Sequence, residues 1–214
     1  MKKRTLLILL LILAVSAAML LSGCKEKKTM LFNGKDLDGW VLYVAPEDGV
    51  AATDVFKVSD GKIVVAGRPF GYMRTEKEYA DYKLHAEWRW IGAATNSGIF
   101  QRVQEGDRIW PSVVEVQLQG GHAGDLLGMG GTALAHVDPK APGLFYKVRA
   151  SGESPEKPEG EWNSADVEVT GTKVKVWVNG QLVNEAEGLF TKGCIALQSE
   201  GGPLEFRNVY IVEK

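Results

Sequence analysis

Cysteine is almost absent from this chain. Cys24 and Cys194 are the two in 214 residues, so at most one intrachain disulfide can form. Histidine is nearly as scarce, at three, and no spacing of His, Cys, Asp and Glu resembles a metal-ligand set. No metal and no cofactor are therefore expected. Beyond the first residues no cluster of Lys and Arg occurs, and binding a phosphate backbone needs one, so nucleic acid is excluded as a partner. No long segment repeats its apolar residues at helical spacing, which removes the all-helical classes. One apolar run is long, Leu6 to Leu21, and its 16 residues fall short of the ~20 that span a bilayer.

That run has a context. Lys2, Lys3 and Arg4 precede it and Leu21-Ser22-Gly23-Cys24 closes it, the order of a secretory signal. The closing Leu-Ser-Gly-Cys resembles the lipobox of bacterial lipoproteins, whose Cys is lipidated and becomes the mature N-terminus. The resemblance implies a signal peptide over 1–23, a lipidated tether over 24–29 and a folded domain over 30–214. It also implies a lipid anchor in the cell envelope, at the outer membrane, facing the periplasm or the cell surface. Removal of Lys2, Lys3 and Arg4 takes the formal charge from −2 to −5. With Cys24 lipidated, Cys194 has no partner, and its apolar setting Gly193-Cys194-Ile195-Ala196-Leu197 marks a small buried hydrophobe.

The remaining residues read as strands. Val55-Phe56-Lys57-Val58 and Lys62-Ile63-Val64-Val65 flank Asp60-Gly61, a hairpin turn in which both residues tolerate positive φ. Asp166 to Thr170 turns at Gly171 into Lys173 to Val178, which turns at Asn179-Gly180 into Gln181-Leu182-Val183. Leu204 to Ile211 closes the chain with another strand, and Gly152 to Gly160 is a surface loop. Many short strands and glycine turns without a linker predict a single all-β domain, an antiparallel β-sandwich of jelly-roll type.

Two strands carry polar groups in strict alternation. His85, Glu87 and Arg89 oppose Leu84, Ala86, Trp88 and Trp90, while Glu115, Gln117 and Gln119 oppose Val114, Val116 and Leu118. Facing a cleft, such a row is a site on a rigid sheet. Facing water, it is only a half-exposed strand.

The residues also match a known pattern. Leu31-Phe32-Asn33-Gly34-Lys35-Asp36-Leu37-Asp38-Gly39-Trp40 resembles the opening motif of the 3-keto-disaccharide hydrolase domain family. Glu87-Trp88-Arg89, Asn96-Ser97-Gly98-Ile99-Phe100, Glu115-Val116-Gln117, Gly160-Glu161-Trp162-Asn163, Val178-Asn179-Gly180, Ile195-Ala196-Leu197-Gln198-Ser199 and Phe206-Arg207-Asn208-Val209 follow in the family's order. The resemblance spans about residues 30–213. It implies a concanavalin-like lectin/glucanase sandwich acting on glycosides whose sugar is oxidised to a ketone at C3. The chain departs at one place: many members carry His after the Leu-Gln-Ser run, where Glu200 stands here.

A C3 ketone acidifies the hydrogen on C2 and places the C1 glycosidic oxygen β to the carbonyl. A base takes the C2 proton, the enolate expels the C1 substituent, and water adds back. Such a site needs a base, a donor for the enolate oxygen and an acid for the leaving group. Glu115 is the first candidate for the base, because apolar neighbours would desolvate it and raise its pKa. Arg89 could hold the keto oxygen, with Glu87 orienting it, or could merely pair with Glu87 or Glu115 across strands. Asn96, Gln101 and Gln117 suit sugar hydroxyls, Gln117 best because it shares a face with Glu115. His122 and Asp125 lie in a loop after that strand, and His titrates in a useful range. His85 and His136 have weaker claims. Trp110 and Trp162 are candidates for stacking on a sugar ring, and Glu200 for contacting it, whereas Trp40, Trp88, Trp90 and Trp177 are expected in the core.

Two further functions compete. A non-catalytic carbohydrate-binding module would use aromatic platforms and amides without a perturbed carboxylate. An ordinary glycosidase would need Glu87 and Glu115 roughly 5–9.5 Å apart across the scissile bond.

Overall fold

Short apolar stretches parted by glycine turns build two antiparallel sheets, seen in a computed structural model that describes residues 27–46, 49–135, 137 and 146–214. Residues 1–26, with Cys24 and the apolar run before it, and His136 lie outside the described residues. The first sheet begins at one edge with the meander of β11 (Asn163–Thr170), β12 (Lys173–Val178) and β13 (Gln181–Glu187). It continues through β6 (Tyr82–Trp90) and β15 (Leu204–Glu213) to β4 (Lys62–Val65) and β3 (Phe56–Ser59). A short β1 (Lys28–Met30) pairs with β15 beyond the end of β4, Met30 opposite Tyr210. This pairing at the free edge of β15 brings Lys28 and Thr29, expected in the tether, into the sheet.

The second sheet runs β10 (Tyr146–Val148), β9 (Leu126–Met129), β8 (Val113–Gln117), β7 (Gly98–Val103), β14 (Cys194–Ser199), β5 (Gly71–Thr75) and β2 (Trp40–Val44). A single helical turn, α1 (Ala52–Val55), joins the sheets and takes Val55 out of the strand expected for it. The predicted turns hold: Asp60 and Asn179 have φ of 50° and 49°, the left-handed backbone a two-residue hairpin requires.

The core lies between the sheets. Trp88, Leu84, Ala86 and Val167 from the first meet Ile99, Val114, Val116 and Leu197 from the second, all fully buried. Trp40 and Trp90 join them as expected, but Trp177 does not. It stands opposite Asp166 on the outer face, half-buried, because its neighbours Val176 and Val178 take the inward positions.

The sheets differ in their outer faces. Strands β6, β11 and β12 alternate buried with more exposed residues, so the first sheet turns its outer face to solvent. Strands β7, β8, β9 and β14 have no exposed residue on either face. A second apolar cluster, including Tyr72, Phe100, Val113, Leu127, Met129 and Ala196, covers the outer face of the second sheet. One of the two alternating polar rows is therefore half-buried on a solvent-facing sheet, and the other is buried outside the main core.

A bulge in β7 sets one more feature. Gln101 and Arg102 together oppose Ile195, with Arg102 at φ 56°. Its fully buried guanidinium donates to the carbonyls of Ala80, Gly171 and Phe190 and to Asp81 Oδ1 at 3.0 Å, tying both sheets together.

Candidate active site

Glu115 sits mid-strand in β8, opposite Phe100 of β7 and Leu127 of β9, on the outer face of the second sheet. It is 2% exposed. Its carboxylate crosses the backbone of Gly98, where an added Cβ would fall 1.9 Å from Oε1. Glycine is required there because the carboxylate fills the space a side chain would take. Burial pushes the Glu115 carboxyl well above the usual carboxylate range; the charge of Glu200 adds to this and Lys147 opposes it. The Gln117 amide, turned so that its nitrogen meets acceptors, donates to Glu115 Oε1 at 3.2 Å, Asn96 Oδ1 at 2.8 Å and Ser97 O at 2.7 Å.

Two expected outcomes follow. Gly98→Ala should displace the carboxylate and cost about a hundredfold in any turnover that depends on it, while circular dichroism shows the sheets intact. The second concerns stability. Since the folded-state pKa of Glu115 is raised, the folded protein holds a proton that the unfolded chain releases, and stability falls as pH rises through that interval. Glu115→Gln removes the dependence. The variant should melt above the wild type at about pH 8 and near it at about pH 4, where both states keep the proton. Equal differences at both pH values would refute this.

Glu200 completes the polar set. It pairs with Asn96 in an isolated bridge and accepts a hydrogen bond from Gln198 Nε2 at 2.8 Å. Burial raises its pKa, while hydrogen bonds from Asn96 and Gln198 and the nearby Arg68 charge pull the other way. Gln198 Oε1 is buried without a hydrogen-bond partner, an acceptor aimed at nothing within the described residues. Arg68 lies over the Phe70 ring at 3.9 Å, and Phe70 packs on Trp110 at 5.9 Å, an aromatic rim to this face.

Cations enter from β10. Buried Asp125 holds Lys147 at 3.1 Å and Arg149 at 3.0 Å, and its Oδ1 accepts from the Ala150 amide at 2.7 Å. Asp125 is therefore a positioning residue for the Lys147 ammonium, whose charge reaches Glu115. His122 is exposed, its Nδ1 3.2 Å from Arg149 Nη1, beside a hollow of about 410 Å³.

The other candidates lie elsewhere. Glu87 and Arg89 are on the outer face of the first sheet, with the core between them and Glu115. Arg89 Nε pairs with Glu205 at 2.5 Å rather than with either expected carboxylate. Glu87 accepts from Arg207 at 2.6 Å and Asn208 at 2.7 Å, and those bonds hold its pKa down against burial. Trp162 is stacked by Arg207 at 3.9 Å and Arg89 at 4.9 Å on that same face. Gln101 points into the core, where it accepts from Tyr82 Oη at 2.9 Å. His85 pairs with Asp166 at 2.7 Å and stacks on Tyr210. None of these groups joins Glu115. The glycosidase reading, which needs Glu87 and Glu115 across one bond, fails on this geometry. Cys194 is buried, as its setting implied.

Glu115, Gln117, Asn96 and Glu200 are brought together as one network, with Trp110 at its rim. Gln198, Lys147 and Arg68 belong to the site and were not singled out from sequence. Gln198 carries a readable signal, alternating with inward Ile195 and Leu197. Lys147 and Arg68 carry none, since long-range pairing and packing alone bring them near. Among the described residues, no group of His, Cys, Asp and Glu is arranged to hold a metal ion.

Fold and site together define a concanavalin-like β-sandwich with a buried acid–amide network on one outer sheet face. The chain belongs to the 3-keto-alpha-glucoside-1,2-lyase-like domain family, whose pattern matches residues 27–212. Among solved structures it is similar to a protein of Parabacteroides distasonis inferred to be a glycosyl hydrolase, at 24% identity and TM-score 0.66 over 88% of this chain and 95% of that one. A Bacillus licheniformis β-glucanase shares the fold at 14% identity and TM-score 0.58, covering 88% and 97% of the two chains. The carbohydrate-binding module CBM66 of Bacillus subtilis does so at 10% identity and TM-score 0.57, covering 80% and 93%. No curated protein matches the chain.

Proposed function

We propose that this protein cleaves 3-keto-glycosides by removing the C2 proton and expelling the C1 substituent, with water then adding at C1. The observation that carries this reading is Glu115, a buried carboxyl with a raised pKa in a network of amides. Elimination next to a ketone needs groups that hand a proton over near neutral pH, and a desolvated carboxyl is such a group. In this reading Gln117, Asn96 and Gln198 would bind sugar hydroxyls and Trp110 would cover a ring, which their amide network and its aromatic rim support. The enolate oxygen at C3 needs a cation or donor, and Lys147, steadied by Asp125, takes the part assigned to Arg89 from sequence. Membership of a family named for a 3-keto-glucoside lyase supports the substrate class.

Placement in the envelope is part of this reading: lipidation at Cys24 would tether the domain through the segment 24–29. Metabolic labelling with a palmitate analogue tests it, with label expected on the wild type and absent from Cys24→Ala.

The functional test is turnover of a 3-keto-glucoside beside the same glucoside unoxidised. Cleavage of the keto-sugar alone is expected. Sugar binding without turnover of either would make the protein a carbohydrate-binding module and end the enzymatic reading.

A further inference from the structure

We propose that the two carboxylates of this site divide the proton transfers: Glu200 takes the proton from C2 and Glu115 delivers one to the oxygen leaving C1. The inference rests on the 3-keto-glycoside reading and goes beyond it in assigning direction. Both side chains rise from the outer face of the second sheet, joined through the Gln117–Asn96 hydrogen bond and the Asn96–Glu200 bridge. Their surroundings differ in kind. Glu200 accepts hydrogen bonds from Gln198 Nε2 at 2.8 Å and from Asn96, and faces the Arg68 charge. Burial still raises its pKa, but these donors and the cation make it the more readily ionised of the two carboxyls. Glu115 lies on the Gly98 backbone between Phe100 and Leu127, with the Gln117 amide at 3.2 Å. That is the setting of a neutral acid. Their electrostatics agree, since the negative charge of Glu200 helps to keep the proton on Glu115.

The cycle balances. Glu200 carboxylate accepts the C2 proton, and the C2–H electron pair forms the enolate toward the C3 oxygen. The enolate reforms the C3 carbonyl, makes the C1–C2 double bond and breaks the C1–O bond, while that oxygen takes the Glu115 proton. Water then adds to C1, returning a proton to Glu115, and C2 recovers its proton from Glu200. Both groups end as they began. The free Gln198 Oε1 beside Glu200 accepts a hydroxyl of the bound sugar and holds C2 toward the base. A site with its own acid is built for leaving groups that need a proton. Its substrates are accordingly keto-glycosides of sugar or alkyl alcohols.

Three probes separate the roles. Methyl 3-keto-glucoside needs protonation to leave, 4-nitrophenyl 3-keto-glucoside departs as a stable anion, and 3-keto-1,5-anhydroglucitol has no leaving group. The last reports C2 deprotonation as deuterium uptake from D2O. Glu115→Gln should lower kcat/KM on the methyl probe by about 10²–10⁴ but on the nitrophenyl probe by less than about tenfold, with C2 exchange retained. Glu200→Gln should depress both glycosides alike and stop exchange, and Glu200→Asp should restore part of the exchange. Loss of exchange in Glu115→Gln, or its survival in Glu200→Gln, overturns the division. The wild type gives a readout independent of either variant's folding. Its C2 exchange should rise through one ionisation and persist to a pH at which methyl-glucoside cleavage has already fallen. Coincident pH profiles would overturn the proposal. A wild type that neither exchanges nor cleaves any keto-sugar would refute the 3-keto-glycoside reading itself, and this division with it.

Discussion

Glu115→Gln is expected to lower kcat on an alkyl 3-keto-glucoside by about 10²–10⁴ while KM moves only severalfold. The size follows from what the substitution removes. Gln is nearly isosteric, keeps the space over Gly98 filled and leaves Phe100 and Leu127 packed as before. The titratable proton is lost and little else. A side chain that only shaped the pocket would pass its loss into KM, whereas proton transfer belongs to the transition state and appears in kcat. The variant's higher melting temperature at about pH 8 accompanies the loss, because the buried carboxyl costs stability where the unfolded chain ionises. Retained turnover in Glu115→Gln would remove Glu115 from the chemistry.

The second large effect is on stability. Arg102→Leu should destabilise the fold by about 3–5 kcal/mol, because the carbonyls of Ala80, Gly171 and Phe190 then lie without their donor. For a domain of this size that is a fall in melting temperature of roughly 6–20 °C. Asp81 Oδ1 loses the guanidinium but keeps the Gly171 amide at 2.9 Å, so part of the tie survives. Arg102→Lys should fall between, since one ammonium cannot reach all the acceptors of a planar fork. An unchanged melting temperature in Arg102→Leu would mean the bulge is held by the sheet alone.

Much of the fold was legible because strand alternation and glycine turns are local. Asp60-Gly61 and Asn179-Gly180 fall where their φ tolerance places them, and Trp88 and Val116 face inward as period two requires. The site was half legible for the same reason. Glu87-Trp88-Arg89 and Glu115-Val116-Gln117 have the same alternation, and alternation does not say which polar face becomes covered. The answer lay in the neighbours. Glu115 is flanked by β7 and β9, which are buried on both faces, whereas Glu87 is flanked by β11 and β15, which carry polar residues outward. Continuous burial in the partner strands marks the covered face. Arg89 was misplaced because pairing Glu205 requires knowing that β15 lies beside β6. Lys147 was missed because its strand has three residues and gains meaning only from β9 and Asp125.

The central claim is that the glycosidic bond breaks through a carbon acid at C2. The most direct test compares a 3-keto-glucoside with its C2-deuterated form under kcat/KM conditions, with the unoxidised glucoside alongside. The expected result is severalfold slower cleavage of the deuterated keto-sugar and none of the unoxidised glucoside. Cleavage of the unoxidised glucoside at a comparable rate, with no isotope effect at C2, would contradict it.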